Sequence, residues 1–127
     1  MNYKEVNEKL KDIEVENFIW IIYLLIIFLS YYSNSLEKKY YLNNDLESKE
    51  KYRKILIFIF TVLVIIYMYF LKDAYDGVKD LKPNDSTKKK ALITLSFLAS
   101  LLIVISGFIF LYIAIEDEDL NVELAFN

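Results

Sequence analysis

The chain has 127 residues, a length that suits one domain. Hydrophobic residues make up 56% of it and charged residues 26%, and the charges fall in blocks between apolar runs, which excludes an ordinary soluble amphipathic domain. A net charge of −3 gives no basis for nucleic-acid binding. With no cysteine and no histidine there are no disulfides or thiolate metal sites, and the commonest general base is missing.

Residues 1–17 are polar, with five acids against three lysines. Asn2 and Glu5 have capping-box spacing, and Tyr3, Val6, Leu10 and Ile13 recur at steps of three and four, so this segment is expected to be an amphipathic helical lead-in. Residues 18–36 form the first expected span. Its apolar heart runs from Phe18 to Leu29, with Trp20 at one end and Tyr31 and Tyr32 at the other in the manner of aromatic belts. Ser33 and Ser35 have the spacing of a signal-peptide cleavage site, but the acid-rich segment before them is the reverse of a signal peptide's positive n-region.

Residues 37–54 are charged yet helical in pattern and read as a solvated helical hairpin. Asn43 and Asn44 mark its turn, Asp45 caps the next helix, and Glu47–Lys51 and Glu50–Lys54 have i,i+4 spacing. The second span is 55–71. From 72 to 90 the helix is expected to continue to Leu81 on a stripe of Ala74, Tyr75 and Val78. Pro83 then stops it, and Asp85 or Ser86 caps the third helix.

The third span, 91–115, has no charge and no proline. Lys88, Lys89 and Lys90 precede it, and Glu116, Asp117, Glu118 and Asp119 follow. A helix of this length spans about 37 Å against a bilayer core of about 30 Å. Its Leu, Ile, Val and Phe side chains favour insertion by about 5–10 kcal/mol before polar positions are subtracted. Six of its residues, Ser96, Ala99, Ser100, Ser106, Gly107 and Ala114, are small and gather on one side. That side is expected to be the packing face, with Leu95, Leu98, Leu101, Leu102, Ile105 and Leu111 towards lipid.

The acidic tail, 116–127, places Leu120, Val122, Leu124 and Phe126 in alternation with Asn121, Glu123 and Ala125. This period-2 pattern suggests an extended segment with one apolar edge; at a chain terminus the expectation is disorder, and the functional alternative is a short segment that docks on a partner.

The fold class expected is therefore an all-α integral membrane protein: three transmembrane helices in an up-down-up antiparallel bundle, an amphipathic N-terminal segment and an acidic C-terminal tail. Abundant Ile, Lys, Asn and Tyr with little Pro or Gly point to an AT-rich bacterial genome, and so to the bacterial plasma membrane. Lys and Arg number three in 1–17 and six in 72–90, against six in 37–54 and none in the tail. That count favours a cytoplasmic N-terminus and an external C-terminus.

No span carries Asp, Glu, Lys or Arg, which speaks against proton relays and ion-coupled transport. No nucleophile–base pair, glycine-rich phosphate loop or calcium-loop spacing occurs, so neither an enzyme nor a cofactor or metal is expected. The expected partners are the lipid bilayer and a protein within it, either a different membrane protein or a second copy. The leading functional expectation is a non-enzymatic accessory subunit, regulator or immunity-type protector. The alternative is an oligomeric pore or transporter, including a holin-like pore.

Overall fold

The structure, a computed structural model, describes residues 2–124. Three helices follow one another: α1 (Tyr3–Asn43), α2 (Leu46–Lys79) and α3 (Thr87–Glu116), with no strand among the described residues. Each is long and apolar enough to cross a membrane. The chain divides into two compact units, Met1–Tyr52 and Arg53–Asn127, so that α2 contributes its first turns to one and the rest to the other.

In the first unit the lead-in and the first span are one unbroken helix. Asn2 starts it with a complete capping box: its side chain accepts the Glu5 amide at 2.8 Å, and the Glu5 carboxylate accepts the Asn2 amide. No glycine or proline interrupts α1 before Asn44, which ends it in the left-handed conformation at φ 51°. Asp45 then accepts the Glu47 amide at 3.1 Å and the Ser48 hydroxyl at 3.0 Å, and pairs with Lys39 at 3.3 Å. Together these bonds lower its carboxyl below the usual aspartate value, the Ser48 hydroxyl contributing most. The Lys49 ammonium lies 5.2 Å from the centre of the Tyr40 ring, across the turn. Ser33 is fully buried, and its hydroxyl is satisfied by the Ser30 carbonyl at 2.8 Å.

In the second unit, α2 from Arg53 onward and α3 form an antiparallel hairpin. Tyr75 meets Phe97 with ring centroids 6.1 Å apart, and Phe60 meets Phe110 at 5.7 Å, so α3 runs back along α2. Its buried side chains come mainly from α2: Leu56, Ile59, Phe60, Leu63, Val64 and Ile66. α2 ends at Lys79, two residues before the expected Leu81. The Leu81 amide bonds the Val78 carbonyl, a tightened last turn, and the Lys82 amide is taken by the Asp85 carboxylate at 2.8 Å. Pro83 follows. Ser86, rather than Asp85, is the α3 N-cap and accepts the Lys89 amide at 3.1 Å, while Asp85 pairs with Lys89 along the flank.

Candidate functional site

All three apolar helices expose large hydrophobic side chains, and α3 carries most of the residues singled out in the sequence. Gly107 and Ala114 are buried and Ser100 is half-buried; Ser96, Ala99 and Ser106 are exposed. The covered side of α3 instead takes in Val104, Leu111 and Leu101, so it is turned by roughly 60° from the small-residue side towards two leucines expected to face lipid. The reason lies in how the hairpin packs. Aromatic pairs meet across the hairpin at two levels, and α2 side chains come closest to the α3 backbone at Gly107. A Cβ on Gly107 would lie 3.1 Å from Tyr67 Cδ2 and from Val64 Cγ2. One on Gly77 would lie 3.6 Å from Ile93 Cγ2. Ser96, Ala99 and Ser106 remain on the open side, with Ser100 at its edge.

The other notable arrangement lies at the end of the hairpin away from its turn. Arg53, the chain's single arginine, donates from Nη2 to the Ile115 carbonyl at 3.0 Å. That carbonyl is among the last four of α3 and has no partner within the helix, so a cation there also opposes the negative end of the helix dipole. Arg53 Nε is buried and makes no hydrogen bond among the described residues.

Next to it, Asp117 closes α3 with its amide on the Ile113 carbonyl. Its carboxylate accepts the Asn121 amide at 3.0 Å, the Asn121 side-chain amide at 3.1 Å and the Val122 amide at 2.9 Å. These bonds, Asn121 first, hold the Asp117 carboxyl below its usual range, and the Arg53 charge adds a smaller push in the same direction.

This capture changes the tail. The expected extended edge is replaced by a compact turn in which Leu120 adopts φ 55°, so strict alternation of side chains is lost. Leu120 is half-buried, Val122 is exposed, and Leu124 is buried at 5% exposure; Phe126 lies outside the described residues. The sequence signals for both features were an arginine used once and an aspartate four residues before an asparagine. Neither is readable until α2 and α3 are known to bring 53 and 115 together.

Among the described residues, no three acidic side chains converge in a way that could hold a metal ion. The helix surfaces present exposed apolar and small side chains. No family model, no curated protein and no solved structure matches the chain.

Proposed function

We propose that this chain is a non-enzymatic integral membrane protein that works by binding another membrane protein, as an accessory subunit, regulator or immunity-type protector. Its three helices cross a bacterial plasma membrane in up-down-up order, with the N-terminus inside and the C-terminus outside.

The observation that carries the reading is how little of its apolar surface each unit covers for itself. The most apolar windows of α1, α2 and α3 are only 6%, 33% and 17% buried. Lipid satisfies such surface at no cost, and a second membrane helix competes with lipid where backbones can approach. The open side of α3, with Ser96, Ala99 and Ser106, meets that condition within the span. The tail, outside the membrane, offers the exposed Val122.

Affinity capture of the full chain from native membranes in mild detergent tests the reading. A stoichiometric membrane protein should come with it, and Ala99→Leu should weaken that capture without lowering membrane yield. Purified protein in liposomes should leave an encapsulated dye retained. Dye release by the protein alone would replace this reading with that of a pore.

A further inference from the structure

The lead-in of α1 carries an apolar stripe that its own unit, Met1–Tyr52, leaves open. Tyr3, Val6, Leu10, Ile13 and then Asn17 recur at alternating steps of three and four, and all are exposed, Leu10 by 53%. The same register continues into the span through Trp20, Leu24, Ile27 and Tyr31, exposed as well. An apolar repeat of 3.5 residues held over four heptads is the pattern of a coiled-coil seam. The covered residues Ile19 and Ser33 lie off this stripe.

A lipid surface does not suit the lead-in. α1 is continuous from Tyr3 through the span, with no proline, glycine or break at which the chain could turn. Residues 3–17 therefore project about 22 Å beyond the apolar stretch, along the direction of crossing, rather than lying in the interface plane. The stripe's apolar residues there stand in water, where covering them is favourable.

We infer that this stripe binds a second copy of this chain, forming a parallel two-stranded coiled coil that begins outside the membrane and runs into it. Copies inserted with one topology present their α1 helices only in parallel. In that arrangement the position before each core a residue faces, on the partner helix, the position five residues further along. Lys9 then faces the partner's Glu14, and by symmetry Glu14 faces the partner's Lys9. Neither makes an ion pair with a described residue of its own chain. Asn17 sits at a core a position opposite its own counterpart, where a single polar residue fixes register and strand number. Inside the bilayer the continued seam adds little by burial, since lipid is as apolar as leucine, so association rests on the lead-in. Confinement to one membrane raises the effective concentration of the two copies.

The absence of native cysteine makes the test direct. Purified full-length protein in liposomes, carrying Leu10→Cys or Ile13→Cys, should form disulfide-linked dimers under mild oxidation. Glu8→Cys and Asp12→Cys, on the far side of the helix, should stay monomeric. Adding Lys9→Glu to Leu10→Cys should lower dimer yield about fivefold at low salt by creating like-charge pairs. Further adding Glu14→Lys should restore it. Equal cross-linking at all four positions overturns the proposal, as does quenching of a fluorophore at Leu10 by brominated lipid. No other protein is present in this experiment, so its failure would leave the proposed membrane partner untouched.

Discussion

Gly77 and Gly107 are the chain's two glycines, and both face the α2–α3 contact, yet they should respond differently to a methyl group. At Gly77 a Cβ meets Ile93 at ordinary van der Waals distance, so Gly77→Ala should stabilise by about 0.5–1 kcal/mol by removing backbone freedom from the unfolded helix. At Gly107 a Cβ presses on Val64 and Tyr67 together, so Gly107→Leu should cost about 1–3 kcal/mol by over-packing. Leu102 is exposed on α3, and Leu102→Ala should cost far less because lipid fills the gap. Thermal melts of the three variants in detergent check the order, and a larger loss for Leu102→Ala than for Gly107→Leu would mean that α3 faces the other way. Arg53→Met keeps the apolar stem but removes the bond to Ile115 and the cation at the helix end. It should loosen the last turn of α3 by about 0.5–1 kcal/mol, seen as faster hydrogen exchange at Glu116 and Asp117. Unchanged exchange there would mean that the contact contributes nothing. The Asp117 turn has a pH sign. Its carboxyl titrates lower in the folded chain than the ordinary 3.8, so its contribution is fully present above that value and is lost as pH falls through the lower folded value. Hydrogen exchange at Asn121 and Val122 should therefore be slow at pH 6 relative to Asp117→Asn, and the difference should vanish in strong acid.

At the scale of the helices, what could be read from sequence was what depends on neighbours within four residues. The Asn2–Glu5 box, the Asn44–Asp45 turn, the Pro83 stop and the Ser86 cap are all settled by local backbone groups and the side chains beside them. The three apolar helices were legible because length and lack of charge need no partner to interpret. The facing of α3 was not, because small residues mark where backbones can approach and not where they do. Here Phe60–Phe110 and Tyr75–Phe97 meet across the hairpin, and of the two glycines Gly107 is the one closely pressed. The turn at Leu120 was not legible for a different reason. Four alternating apolar residues are a weak pattern, and one carboxylate that captures two consecutive amides overrides it. The Asn44 turn gives this local logic a test. Its φ of 51° suits Asn or Gly, so Asn44→Gly should leave the melting temperature nearly unchanged. Asn44→Val, with a branched Cβ in the left-handed region, should lose about 1–2 kcal/mol. Equal melting of the two would show that the turn relaxes out of that conformation.

For the whole molecule, the hairpin of α2 and α3 gives the proposed orientation a physical basis within its own unit. Its turn end carries Lys72, Lys79, Lys82, Lys88, Lys89 and Lys90. Its open end carries Arg53 and Lys54 beside Glu116, Asp117, Glu118 and Asp119, since Arg53 touches Ile115. Cations near helix ends are retained on the cytoplasmic side, so the turn should be inside and the acidic tail outside. The cations of the 37–54 segment pull the other way, being closest to the first two spans. Ties do not separate the two groups: Lys39 pairs with Asp45, Lys51 with Glu47 and Arg53 with the Ile115 carbonyl, while at the turn end Lys89 pairs with Asp85 and Lys90 bonds the Pro83 carbonyl. Acids contribute little to the retention rule, so the opposing pull of the 37–54 cations remains. The orientation should accordingly be movable by few charges. In intact cells, an epitope placed after Asn127 should be cut by external protease, and one in the Lys82–Asp85 turn should be protected. Replacing Lys88, Lys89 and Lys90 together by Gln should expose the turn epitope in part of the population, because it removes half of the turn end's cations. Protection of the C-terminal epitope in the unaltered chain would reverse the topology. An unaltered chain cut at both sites would show insertion in both directions.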